Sequence, residues 1–295
     1  MSREIRANLL LILTAMIWGF SFVALVVGMK DMGPFVYNGI CFLLGGSSLV
    51  PVILITGRKI NNNFLKVLKS GVVCGIFLFL ASTFQKLGAR GSTAGKIAFI
   101  TSTYMIIVPI ITFIKSRKAN NRICISIFLS LIGLYLLCIN DKFILSKSDV
   151  FLFISAFFFA THVLAVDKHS KGNDPIVLSS IQFFVNGILS IILSFIAKET
   201  VNLTMIYNAI IPVLYGGIMS VGIAFTLQVV AQKDAKPENA GILMSLESVF
   251  ASIGGLIILG EKMQPKGYIG CLLILIGVII LQIKKGDSKK EKRIV

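Results

Sequence analysis

The sequence predicts an all-α membrane protein, ten transmembrane helices arranged as two inverted five-helix repeats. Three observations predict it. Hydrophobic residues make up 56% of the 295 and charged residues only 14%. A soluble domain carries about 25% charged residues, so this chain lacks the polarity to cover a water-facing surface, and most of its solvent is lipid. Apolar runs of about 20 residues, the length that crosses a bilayer as a helix, recur ten times. Features of the first five runs then return in the last five.

The runs cover 7–27, 35–56, 68–87, 94–114, 122–140, 149–166, 176–197, 206–231, 238–259 and 266–283. Arg3 and Arg6 precede the first, as in a signal peptide. That run is longer than a signal core, has no clear cleavage site and is followed by many like it, so it is expected to stay as a retained helix. Pro34, Pro175, Pro237 and Pro265 stand at or just before helix starts, where a missing N–H costs nothing. Asp174 is expected to cap span 7 and Ser148 span 6. Ser82, Gln85 and Gln228 interrupt spans 3 and 8. The connections are short, so sequential helices are expected to run antiparallel, with no room for a soluble domain. The organisation expected is a first repeat at 1–145, a second at 146–283 and a basic tail at 284–295.

The net charge is +16. A basic chain invites a nucleic-acid reading, but no basic stripe lies on a regular element and no aromatic-basic RNA motif occurs, so no nucleic-acid partner is expected. The charge instead orients the chain. With the N-terminus cytoplasmic, Lys and Arg on that side outnumber those opposite by about two to one, the bias of cytoplasmic loops. Lys30, Lys86, Arg90, Lys96 and Lys198 are among those opposite. Both termini are therefore expected in the cytoplasm, the tail as a topology anchor at the lipid surface. Cys41, Cys74, Cys124, Cys138 and Cys271 each lie in an apolar run without a CxxC or Cys/His cluster. They read as small apolar residues rather than disulfide or metal partners.

The repeat appears when the chain is shifted by 141 residues. Met32-Gly33-Pro34-Phe35-Val36 then overlies Asn173-Asp174-Pro175-Ile176-Val177, Phe42 matches Phe183, and Gly46 matches Gly187. A shift of 146 lays Gly71 on Gly217 and Ala94-Gly95 on Ala240-Gly241. Ser102-Thr103-Tyr104 then overlies Ser245-Leu246-Glu247 after a short gap. Five spans is an odd number, so the second unit enters the membrane from the opposite side. Inverted repeats are a frequent plan in secondary transporters, because two near-equivalent halves can exchange conformations.

Several stretches resemble the drug/metabolite transporter superfamily, specifically its EamA-type permeases. They are Ala15-Met16-Ile17-Trp18-Gly19-Phe20-Ser21-Phe22, the run Ser92 to Tyr104, Ser245-Leu246-Glu247-Ser248-Val249-Phe250-Ala251 with Leu259-Gly260-Glu261-Lys262, and Leu275-Ile276-Gly277-Val278. The likeness covers almost the whole chain. Two departures stand out: Met105 and Ser248 occupy positions where the family often has Pro, and Ser116-Arg117 replaces its frequent Gly-Glu. The resemblance implies a central cavity between the halves and transport, most often outward, of metabolites, amino acids or toxic compounds.

Glu247 is the one acidic residue deep in a span. A charged carboxylate there costs about 2.5–3.5 kcal/mol on insertion scales. It either holds a substrate amine or exchanges a proton as the site changes sides; a structural carboxyl bonded to a neighbouring helix is the alternative. Tyr104, its repeat partner, is expected near the same axis. Thr14, Trp18 and Ser21 share one face of span 1, and Ser220, Gln228 and Gln232 one face of span 8. Gln85 joins them from span 3. His162 in span 6 can shuttle a proton or satisfy a single hydrogen bond. Lys96 either snorkels to the interface or faces the cavity and attracts an anionic group. The expected solute-binding set is thus Glu247, Tyr104, Trp18, Ser21, Gln228, His162, Gln85 and Lys96. The expected partners are a small-molecule solute, a coupled proton or cation, and the bilayer; no metal, cofactor or catalytic motif is read. An intramembrane enzyme is disfavoured because no HExxH, P-loop or nucleophile elbow occurs, and a channel because no filter-like segment does. An uptake permease of the same fold stays open.

Overall fold

A computed structural model describes residues 2–58, 64–116, 121–138, 146–262 and 264–282. The basic tail at 284–295 and the ends of spans 5 and 10 lie outside the described residues. The apolar helices are α1 (Arg3–Gly28), α2 (Pro34–Ile55), α3 (Phe64–Ala89), α4 (segments Ala94–Ser102 and Tyr104–Ser116), α5 (Asn121–Cys138), α6 (Lys147–Ser170), α7 (Pro175–Ile196), α8 (Ile210–Ala231), α9 (segments Pro237–Met244 and Glu247–Ile258) and α10 (Pro265–Gln282). Among the described residues, eight are long and apolar enough to cross a membrane; α5 and α10 are shorter apolar helices.

Capping chemistry sets the starts. Asp174 caps α7, accepting from the N–H groups of Ile176 at 2.9 Å and Val177 at 3.1 Å. The expected cap of α6 is corrected. The cap is Ser146, whose hydroxyl accepts from Asp149 N at 3.3 Å while the Asp149 carboxylate accepts from Ser146 N at 2.8 Å. This reciprocal box needs an acid three residues after the hydroxyl, a spacing Ser146 has and Ser148 lacks. Span 8 also differs from expectation. Asn202 caps a separate short helix, Leu203–Asn208, and the chain bends at Ala209 before α8 begins. Within α8, residues Tyr215–Phe225 wind as a π-helix, a form that is rare and often found at functional sites.

The two parts of the chain interleave. α5 packs on α10, α3 on α6 and α7, α2 on α7 and α8, and α1 on α8 and α9. Glycine permits two of the crossings. A Cβ on Gly19 would press on Phe250 and lie 2.9 Å from the Glu247 carbonyl oxygen, so α1 can cross α9 this closely only without a side chain there. Gly45 does the same for α2 against Val221 of α8. The α2–α7 pair is tied at both ends. Arg58, just beyond α2, meets Asp174 at the start of α7 at 2.6 Å. Glu199, just beyond α7, accepts from Phe35 N at 3.1 Å and Val36 N at 2.8 Å at the start of α2. Arg58 and Glu199 are 141 residues apart, the offset of the sequence repeat.

Candidate functional site

α4 and α9 are each interrupted near mid-length, and the interruptions dock on each other. In α4 the turn tightens to i→i+3 bonds: Thr103 N donates to Ile100 O at 3.2 Å and Ile106 N to Thr103 O at 3.0 Å. In α9, Leu246 N donates to Leu243 O at 3.3 Å and Ser248 N to Ser245 O at 3.1 Å. A hydroxyl helps each turn. Thr103 Oγ1 donates to Ile100 O and Ser245 Oγ to Ile242 O, the local bonding by which Ser and Thr bend helices. Proline is therefore not needed where Met105 and Ser248 stand. Tyr104 and Glu247 become the first residues of the second segments.

Between the docked turns, Ser102 Oγ donates to Glu247 Oε1 at 3.0 Å and lies 2.7 Å from Ser248 Oγ. Glu247 is 3% exposed and Tyr104 also 3%. The Tyr104 hydroxyl is close enough to interact with the carboxyl electrostatically, yet makes no hydrogen bond of normal geometry.

Glu247 and Tyr104 line a central cavity together with Trp18, Phe22, Phe42, Phe159 and Phe225. Trp18 packs on Phe225 at 4.5 Å between ring centroids, and its indole N–H donates to Ser220 O of the π-helical stretch at 3.3 Å. One wall is polar. Asn38 Nδ2 reaches Ser82 Oγ at 3.0 Å, Asn186 Oδ1 at 3.0 Å and Ser190 Oγ at 2.8 Å, tying α2, α3 and α7 together. The cavity volume is about 60 Å³. One water needs roughly 10–15 Å³ on the same measure, so this space holds a few waters. An organic solute must push the walls apart. A wider space of about 790 Å³, lined by Lys30, Asp31, Arg90, Lys198 and Glu199, lies at the face opposite the N-terminus. The linings follow each other within a turn, Leu25 to Val26 on α1 and Lys86 to Ala89 on α3. The wider space is thus a vestibule over the cavity.

Six of the eight expected residues meet at the cavity: Glu247, Tyr104, Trp18, Ser21, Gln228 and Gln85. Two do not. Lys96 is held by Asp149, Nζ to Oδ1 2.7 Å, at the start of α6, because a helix start near the bilayer edge leaves a lysine free to find a carboxylate. His162 is fully buried beside the cavity, its Nε2 3.0 Å from Gln182 Oε1. Glu261 has two roles: its own N–H donates to Gly255 O at 3.0 Å and closes the end of α9, while its carboxylate accepts from Ala94 N at 3.2 Å at the start of α4. Asn38, Ser82 and Lys86 also line the cavity, outside the expected set. Lys86 is expected as a topology charge, although it falls inside span 3; a lysine within an apolar run is the signal that sets it apart.

The EamA-like transporter family matches residues 5–139 and again residues 146–283. An uncharacterized transporter of Archaeoglobus fulgidus is 30% identical over 96% of this chain and 87% of its own length. The uncharacterized transporter YoaV of Bacillus subtilis is 21% identical over 94% of this chain and 96% of its own. The WAT1-related protein At3g56620 of Arabidopsis thaliana is 24% identical over 71% of this chain and 54% of its own. One crystal structure superposes with a TM-score of 0.77 over 94% of this chain and 96% of that one at 16% identity, a likeness of fold alone.

Proposed function

Because this chain belongs to the EamA-like transporter family, we propose that it is a secondary carrier exporting a small organic solute through the cavity between two inverted five-helix halves. Both termini are cytoplasmic in this reading, following the loop charges. The vestibule then faces outward, and the narrow cavity is the site in an outward-leaning, nearly closed state. Exchange of conformation between the halves opens it inward.

The observation that carries the reading is Glu247. It is the acidic side chain on the cavity lining, 3% exposed, at the interruption of one helix and hydrogen-bonded to the interruption of the other. An ionisable group at that depth is functional by default. A carboxylate that holds either a proton or the ammonium of a solute cannot hold both. Proton entry from outside then releases the solute, and loading from inside releases the proton. That competition couples export to the proton gradient. Trp18, Phe42, Phe159 and Phe225 supply apolar surface for the rest of the solute, and ring faces favour a nearby cation.

The test begins with metabolite profiling of deletion and overexpression cells. Candidate solutes are then loaded into proteoliposomes, and saturable exchange is measured with and without a pH gradient. Saturable exchange driven by the gradient is expected. Conductance in single-channel recordings without saturation would instead favour a channel.

A further inference from the structure

We propose that Lys86 is an anion subsite of the cavity, and that the carried solute has a carboxylate that sits on it. The inference rests on the carrier reading above and names the chemistry of the same site. Lys86 is the basic side chain among the lining residues, as Glu247 is the acidic one. Its Nζ donates to Gln85 Oε1 at 3.1 Å. An ammonium has three donors, and among the described residues no carboxylate pairs with it. Elsewhere in the chain, Lys96, Arg58 and Lys171 each have found an acid. Lys86 therefore faces the cavity with donors to spare, and a polar line leads from it towards Glu247. Gln85 Nε2 reaches Thr101 Oγ1 at 3.5 Å, and the next residue, Ser102, donates to Glu247 at 3.0 Å.

The vestibule has matching chemistry. Lys30, Arg90 and Lys198 stand on its wall against Asp31 and Glu199, and both Glu199 oxygens accept from the start of α2. A net basic mouth over a basic anchor keeps an anionic group in favourable potential along its way out. With an ammonium at Glu247 and a carboxylate at Lys86, the two charges of the site are each met by one of the solute. The aromatic walls offer apolar surface to the rest of the solute. An amphoteric solute satisfies this pattern; a simple amine leaves Lys86 unmet.

Trp18 is the single tryptophan of the chain and lines the cavity, so its fluorescence reports binding without a label. Purified protein is titrated with three pairs that differ by one carboxylate: phenylalanine and phenethylamine, leucine and isopentylamine, valine and isobutylamine. At least one acid is expected to bind about tenfold or more tighter than its amine, the scale of a charge-assisted hydrogen bond. In Lys86→Gln that preference should collapse, while the amine binds no more weakly than before. Lys86→Arg should keep the preference to within about threefold. The retained amine binding, with gel-filtration behaviour, separates a lost anchor from a misfolded variant. The proposal is overturned if no acid outbinds its amine, or if Lys86→Gln keeps the preference. Proteoliposome exchange distinguishes the two readings. Acids that bind through Lys86 but never exchange sink the carrier, and amines that exchange without any acid preference sink the subsite.

Discussion

In α4 the helix tightens at Thr103 and restarts at Tyr104; in α9 it tightens at Ser245 and restarts at Glu247. Both turns use i→i+3 bonds, and both have a hydroxyl bonded to the carbonyl three residues back. The backbones agree, and the side chains they deliver do not. One interruption presents a phenol, whose hydroxyl lies beside the carboxyl without a bond of normal geometry, and the other a carboxyl held by Ser102 across the crossing. The pair teaches that a shared backbone device can carry unequal chemistry. The proposed repeat supplies two equivalent openings in the helix ladder, and only one holds a group that binds a cation or a proton.

Replacing the carboxyl should break that inequality most severely. Glu247→Gln keeps the shape and the acceptor for Ser102 but removes the charge. Truncating one member of a buried charged contact costs ~3 kcal/mol, so solute exchange should fall by about 100-fold. Membrane insertion should be unaffected, because a neutral amide is easier to bury. Exchange at the wild-type rate would remove Glu247 from the site and end the comparison.

The next effect belongs to the contact between the interruptions. Ser102→Ala removes the donor to Glu247 and the partner of Ser248 at once. Hydrogen bonds to charged groups contribute about 1.5–3 kcal/mol, so solute affinity should drop by roughly tenfold. Stability, followed by thermal unfolding in detergent, should drop with it. A variant that loses neither shows that Glu247 is positioned by its own helix alone.

Tyr104→Phe is expected to do less. Its hydroxyl lies beside the Glu247 carboxyl without a hydrogen bond of normal geometry, so deleting it costs little stability. Unfolding should move little, while solute affinity weakens by about threefold if the hydroxyl finds its partner on the solute. Equal affinity in Tyr104→Phe and wild type would place the phenol in the packing and not in recognition.

Much of this comparison was legible in the chain. Glu247 announced itself as a carboxyl inside an apolar run, and the offset of the repeat brought Tyr104 to its counterpart position. Trp18 and Ser21 followed from helical spacing. What the sequence withheld has a common physical cause. Capping and ion pairing depend on which helix ends meet, and that is tertiary information. Lys96 reads the same whether it faces a cavity or finds Asp149. Glu261 reaches the start of α4 only once the two helix ends meet. The network of Asn38, Ser82, Asn186 and Ser190 draws on three helices, and no single-helix periodicity contains it. The π-helical stretch of α8 left no mark beyond the glycines at 216, 217 and 222.

The smallest expected effect concerns the backbone likeness itself. Thr103→Val and Ser245→Ala each delete a hydroxyl bonded to its own helix, and neither hydroxyl touches Glu247 or the solute space. Each bond contributes about 0.5–1.5 kcal/mol net, reduced in Thr103→Val because Thr103 N still bonds the same Ile100 oxygen. Destabilisation of about 0.5 kcal/mol is expected in Thr103→Val and about 1 kcal/mol in Ser245→Ala, with unchanged solute affinity. Near-equal losses would mean that the two interruptions are held by the same device. A large loss in Ser245→Ala alone would mean that the turn delivering the carboxyl is the more strained of the two, so that the inequality between α4 and α9 begins in the backbone and not only at the side chain.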